Sequence, residues 1–201
     1  MSTSHPQNAL THLLYLHGFR SSPQSAKARV MAHRMATHNP DVQWWCPQLP
    51  PSPRAAMALL MDGIQHWPRD SMAVVGSSLG GFYATVVAEH TGCPAVLFNP
   101  AVNPARDLAK YIGEQTSWHD PEERFFFKPE FVQELLDLTP PAIAHPAHYL
   151  AVIAKGDEVL DWREMHARYQ GAQIRLLEGC DHALSDFEQH LPAVLAFLGL
   201  N

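Results

Sequence analysis

The chain predicts an α/β fold: a mainly parallel sheet of about six strands, helices on both of its faces, and a helical cap inserted before the last strands. Three observations predict it. Short, continuous apolar runs of strand length alternate with stretches of helical spacing, the pattern of strands buried on both faces and joined by helices. A Gly-flanked serine sits where one such run meets the helix that follows it. Between Phe98 and Tyr149 the alternation lapses for about fifty residues, more than a crossover needs.

Leu13-Leu14-Tyr15-Leu16 opens the sheet, and His17-Gly18-Phe19 ends that strand. Ser22 reads as a helix N-cap with Pro23 at the first helical position. Ala28, Met31, Ala32 and Met35 then recur at helical spacing, with Lys27, Arg29 and Arg34 among the polar positions. Val42 to Cys46, closed by Pro47, is the second strand, and Ala56, Leu59, Leu60, Gly63, Ile64 and Trp67 stripe the second helix. The third strand starts at Met72 and runs into Gly76-Ser77-Ser78-Leu79-Gly80-Gly81, after which Ala84, Val87 and Ala88 begin a helix. Ala95 to Phe98, Tyr149 to Ala154 and Gln173 to Leu177 supply the remaining strands, and Phe187, Leu191, Val194, Leu195 and Leu198 form one face of the closing helix. The long interval, approximately residues 101–147, reads as the cap, with short helices at Asp107 to Ile112 and Pro129 to Leu138. Trp118 and Phe125-Phe126-Phe127 give it an aromatic surface, or, in the plainer use of such residues, a small core of its own. The 201 residues are expected to form one domain.

A formal net charge of −6 and the absence of any long Lys/Arg run argue against nucleic acid or an anionic membrane as partner and favour a small molecule. No apolar run is long enough to span a bilayer, and Met1 to Asn8 lacks the apolar core of a signal peptide. Cys46, Cys93 and Cys180 are odd in number, scattered, and each near an apolar run, so they read as buried thiols of a reducing compartment rather than a disulfide frame. A cytoplasmic protein is expected. None of the thirteen histidines pairs with another His, a Cys or a carboxylate in a recognised ligand spacing such as His-Glu-x-x-His, so no metal is expected either.

The chemistry gathers at the ends of strands, where a parallel sheet collects functional groups. Gly76-x-Ser78-x-Gly80 has the form of a nucleophile elbow, a bend so sharp that the serine hydroxyl projects above the sheet and glycine is wanted two residues to either side. A serine hydroxyl needs a base, and the α/β-hydrolase order is Ser, then Asp or Glu, then His, each after its own strand. Asp157 follows the strand ending at Ala154, and His182 follows the last strand in Glu178-Gly179-Cys180-Asp181-His182. Asp161, the other candidate acid, precedes Trp162-Arg163-Glu164 and reads as a helix N-cap. The oxyanion formed during acyl transfer needs donors, for which the backbone N–H groups of Leu79 and Phe19 stand in the right loops. His17 reads as a hydrogen-bonding brace of its loop, without a proton-transfer role.

His17-Gly18-Phe19 with Ser21-Ser22-Pro23, the Gly76-to-Gly81 elbow, Asn99-Pro100-Ala101, Gly156-Asp157-Glu158-Val159-Leu160-Asp161 and His182 together resemble the small bacterial YqiA-like esterases of the α/β-hydrolase superfamily. The resemblance runs over nearly the whole chain except the cap. It implies a serine esterase acting on carboxylic esters, or on acyl thioesters, through Ser78, Asp157 and His182, with no metal or organic cofactor. Two other functions stay open at this stage. An acyl-CoA thioesterase would use the same machinery and want a basic patch for the CoA phosphates. A silent α/β-hydrolase-like binding protein would keep the fold alone, and such proteins are expected to lose a triad member.

Overall fold

The chain folds as β1 (His12–Leu16), α1 (Ala26–His38), β2 (Gln43–Trp45), α2 (Pro53–Gly63), β3 (Met72–Ser77), α3 (Leu79–Thr91), β4 (Ala95–Phe98) and α4 (Pro104–Leu108). It continues with β5 (Gly113–Thr116), β6 (Arg124–Phe127), α5 (Pro129–Leu138), β7 (Tyr149–Ala154), α6 (Trp162–Arg168), β8 (Gln173–Leu177) and α7 (Phe187–Phe197). These elements come from a computed structural model that describes residues 9–120 and 122–200, so the polar Met1 to Asn8 stretch lies outside the described residues.

Six strands form one sheet in the order β2-β1-β3-β4-β7-β8, and every neighbouring pair in it is parallel. Because successive side chains of a strand point to opposite faces, a strand covered on both sides is apolar throughout. Leu13, Tyr15, Val75 and Phe98 pack towards α1 and α7, whereas Leu14, Leu16, Val74 and Leu97 pack towards α2, α3 and α6. That two-sided burial is why the central strands read as unbroken apolar runs. The chain steps from β1 outward to β2, then crosses to the other side of β1 and continues through β3, β4, β7 and β8. Connections therefore leave β1 and β3 in opposite directions, which opens a crevice at their carboxyl ends.

Four expectations are corrected. The first helix starts at Ala26 with Ser25 at its N-cap position, because Ser22 is used in a turn: its hydroxyl accepts from Gln24 N–H and its carbonyl from Ser25 N–H. The second helix stops at Gly63, so its stripe does not continue to Trp67; a Cβ at position 63 would stand 2.1 Å from the Trp45 ring. Of the three cysteines only Cys93 is fully buried, Cys46 and Cys180 being half-buried, and all three are free thiols. The cap is more than helical. Asp107 to Ile112 is divided between the end of α4 and a single 3-10 turn, and the antiparallel hairpin β5–β6 follows, with Gly113 opposite Phe127 and Thr116 opposite Arg124. Alternation decides the aromatic run: Phe127 is buried, Phe126 is exposed, and Phe125 lies half-buried. The helix over Pro129 to Leu138 is present as expected, with Phe131 and Leu135 buried.

Candidate active site

The bend between β3 and α3 puts Ser78 at φ 56°, ψ −122°, a region that side chains rarely enter. Two glycines permit it. A Cβ at Gly76 would stand 2.2 Å from the Gly80 carbonyl oxygen, and one at Gly80 would stand 2.0 Å from the Leu16 carbonyl oxygen. The elbow is thereby pressed against the end of β1, and the loop after β1 comes down on the serine: a Cβ at Gly18 would lie 3.2 Å from Ser78 Cβ. Phe19 is the next residue. Neither its N–H nor that of Leu79, the first residue of α3, is taken by another hydrogen bond among the described residues.

The loops after β7 and β8 bring Asp157 and His182 to the same place. Ser78 Oγ lies 3.0 Å from His182 Nε2, and His182 Nδ1 lies 2.7 Å from Asp157 Oδ2. The side chain of Asp157 is fully buried, and its other oxygen accepts from the N–H groups of Val159 and Leu160, each at 2.8 Å. An ionised carboxylate only accepts, so Nδ1 must carry the proton in this contact and Nε2 is left to accept from the serine hydroxyl. The five residues expected at the site, Ser78, Asp157, His182, Phe19 and Leu79, thus converge at the crevice.

Two residues whose function went unread hold the histidine loop. Asn99, fully buried after β4, donates from Nδ2 to the carbonyls of Asp181 and His182, each at 3.1 Å, and accepts from Ala154 N–H at 2.8 Å. Its φ of 40° is left-handed, a region in which Asn is favoured among residues with a Cβ. Glu158 accepts from His182 N–H at 3.0 Å. The motifs Asn99-Pro100-Ala101 and Gly156-Asp157-Glu158 were the available signal, but what each side chain bonds depends on three loops meeting. His17 behaves as a brace: it accepts from Leu49 N–H at Nε2 (3.1 Å) and donates from Nδ1 to the Gly18 carbonyl (3.0 Å). Burial pushes it down to about 4, against a smaller upward effect of the Gly18 bond.

A cavity of about 170 Å³ opens over Ser78 and His182, walled by Phe19, Ala101, Leu108, Tyr111 and Leu160. Arg20 and Lys110 stand at it beside Asp107. A second cavity of about 340 Å³ lies beyond Phe19 and Leu79 and is lined by Leu49, Tyr83 and Phe125. The cap hairpin is fastened to this region through Arg20, which donates from Nε to the Thr116 carbonyl (2.7 Å) and from Nη2 to its hydroxyl (3.0 Å). The Arg20 guanidinium also stacks 4.2 Å from the ring centroid of Trp118, and the Trp118 backbone N–H donates to the Arg20 carbonyl.

The absence of metal-ligand spacing along the chain does not extend to three dimensions. Cys180, Asp186 and His190 bring one donor atom each to within 4.8 Å of one another, next to the His182 loop and on the side of α7.

Solved structures share this fold at low identity. A protein of Agrobacterium vitis S4 described as a candidate hydrolase is 16% identical over 95% of this chain and 91% of its own, with a TM-score of 0.73. The α/β hydrolase domain-containing protein 10 from mouse is 13% identical over 93% and 90%, with a TM-score of 0.66. Est1E from Butyrivibrio proteoclasticus, solved with ferulic acid, is 14% identical over 98% and 90%, with a TM-score of 0.65. These likenesses establish the α/β-hydrolase fold. A family model described as an uncharacterised protein family, UPF0227, matches residues 12–199, nearly the whole chain. The chain therefore belongs to UPF0227, the YqiA-like family that its motifs resemble.

Proposed function

We propose that this protein is a serine esterase that hydrolyses carboxylic acyl esters through an acyl-enzyme on Ser78. The observation that carries the reading is the unbroken line from a strained elbow serine through His182 to a buried carboxylate. Ser78 Oγ attacks the acyl carbonyl while its proton passes to His182 Nε2, and Asp157 steadies the imidazolium through Nδ1–H. The oxyanion is received by the N–H groups of Phe19 and Leu79, with the N-terminus of α3 adding its positive end. His182 then protonates the departing alcohol, and water, activated by the same base, releases the acid. The chemistry needs no cofactor.

A binding protein without catalysis would have no use for the strain held at Ser78, which disfavours that alternative. The acyl-CoA reading shares every step. Arg20 and Lys110 are cations beside the cavity, but Asp107 stands with them and Arg20 is engaged by Thr116 and Trp118, so uncharged esters are the better match. The described residues contain no helix long and apolar enough to cross a membrane. With three free thiols, a cytoplasmic site of action fits.

The test is a hydrolysis screen of acyl esters and acyl-CoAs across chain length, with Ser78→Ala as control, beside labelling by a serine-directed phosphonate and peptide mapping. Turnover lost in Ser78→Ala and an adduct on Ser78 are expected. An adduct on Ser77, which lies buried within β3, would overturn the elbow assignment.

A further inference from the structure

We infer that Cys180, Asp186 and His190 form a binding site for one divalent transition cation, best matched by Zn²⁺, that ties the loop carrying His182 to α7. Asp186 holds the N-cap position of α7 without a side-chain capping bond and His190 follows four residues later, so both side chains stand on one face of the helix, and the loop after β8 brings Cys180 to them. Cys180 Sγ lies 2.6 Å and His190 Nε2 3.1 Å from the same oxygen, Asp186 Oδ1.

Two details make this more than a polar cluster. His190 is 8% exposed, and its Nε2, although within ion-pair distance of Asp186, lies off the hydrogen-bonding direction and makes no hydrogen bond. A buried imidazole nitrogen that makes no hydrogen bond is costly, and a cation shared with Asp186 would satisfy it. The three donor atoms also converge to within 4.8 Å of one another. One thiolate, one imidazole and one carboxylate suit a borderline-soft cation that favours tetrahedral coordination, and Zn²⁺ accepts all three donor types.

Bonds of about 2.0–2.3 Å set ligand-to-ligand edges of about 3.2–3.6 Å in a tetrahedron. The nitrogen–oxygen separation of 3.1 Å is already close to that. The sulfur–oxygen pair must open by about 0.9 Å, which the Asp186 side chain, a third exposed, can supply by turning. Its exposure also leaves the fourth position to water. Binding changes no oxidation state: the Cys180 S–H bond breaks, the sulfur keeps the electron pair and gives it to the cation, and one proton leaves to solvent. The ligands bracket His182, two residues after Cys180 and four before Asp186, so the cation would cross-link that loop to α7 without touching Ser78. The inference stands apart from the esterase reading, since it is read from binding and stability rather than turnover.

Metal-free protein is to be titrated with Co²⁺ and then with Zn²⁺, following the thiolate-to-cobalt absorption, proton release in weak buffer, and Tm. One equivalent of Co²⁺ is expected to bind with a thiolate band, to release one proton, and to be displaced by Zn²⁺, which raises Tm. Cys180→Ser should abolish the band, and His190→Gln and Asp186→Asn should each weaken binding at least about tenfold, the loss that even an outer partner of a ligand can cause. The same three variants without metal report whether they remain folded. Absence of a thiolate band in the folded parent protein, or a band and affinity unchanged in Cys180→Ser and His190→Gln, would overturn the site and leave a hydrogen-bonded thiol in its place.

Discussion

Asp157 gives one carboxylate oxygen to His182 and the other to two backbone amides, so its charge is used from both sides and its side chain is closed to water. Asp161, one helical turn on, accepts from Arg163 N–H at 2.9 Å as the N-cap of α6. The two carboxylates therefore separate in experiment. In Asp157→Asn the amide N–H would face Nδ1 and favour the tautomer that carries its proton on Nε2, unable to accept from Ser78, so kcat should fall by about 10⁴ in a folded protein. Asp161→Ala should keep turnover and lose about 1 kcal/mol of stability. Turnover and melting temperature of both variants decide it, and an active Asp157→Asn beside a dead, folded Asp161→Ala would transfer the acid role. Ser78, Asp157 and His182 were legible because each follows an apolar strand in a fixed chain order. Asn99 was not, since its part depends on a left-handed φ and on carbonyls contributed from more than eighty residues away.

At the scale of elements, the six strands of the main sheet and α5 were legible from runs and spacing, whereas the start of α1 and the hairpin of the cap were not. Ser22-Pro23 satisfies the rule for a helix start, yet the same residues make a turn in which Ser22 accepts from the N–H groups of Gln24 and Ser25, and the helix begins after Ser25. Three consecutive phenylalanines conceal their own period, because alternation cannot be seen when every position is apolar. In the fold they divide. Phe127 packs edge-on to Phe19 (5.4 Å between centroids) and to Phe131 (5.5 Å), joining the cap to the loop after β1 and to α5. Phe127→Ala should cost about 3–5 kcal/mol. Phe126→Ala, on the solvent side, should stay within about 0.5 kcal/mol. Phe125 packs edge-on against Phe19 and lines the larger of the two cavities beside Phe19, so Phe125→Ala should shift acyl-chain preference with a small change in Tm. Melting curves and kcat/KM across acyl lengths test this division; equal effects from all three would reduce the hairpin to an undifferentiated patch.

The whole molecule is a doubly covered sheet whose order reverses between β1 and β3, and that reversal brings the loops of Phe19 and Ser78 together. Strand order cannot be read from a list of runs, but the two-sided burial could be, and it places the cost of any charge developed inside. His17 carries such a cost. Its Nε2 accepts from Leu49 N–H, so a proton there would set two donors against each other in a buried site. Burial holds its pKa at about 4 in the fold, below the value of about 6.5 for an exposed histidine. Between those values the unfolded chain takes up the proton and the folded one does not, so each step down in pH favours unfolding. The contribution is complete above about pH 6.5, declines as pH falls through the window, and changes no further below about pH 4, a loss on the order of 3 kcal/mol. His17→Gln keeps a neutral acceptor and donor and cannot be charged, so it should keep its activity and shed this part of the pH dependence. Chemical unfolding of both proteins from pH 4.5 to 7.5 measures it: the stability difference should narrow or reverse towards acid, whereas parallel curves would show that the proton is taken up elsewhere.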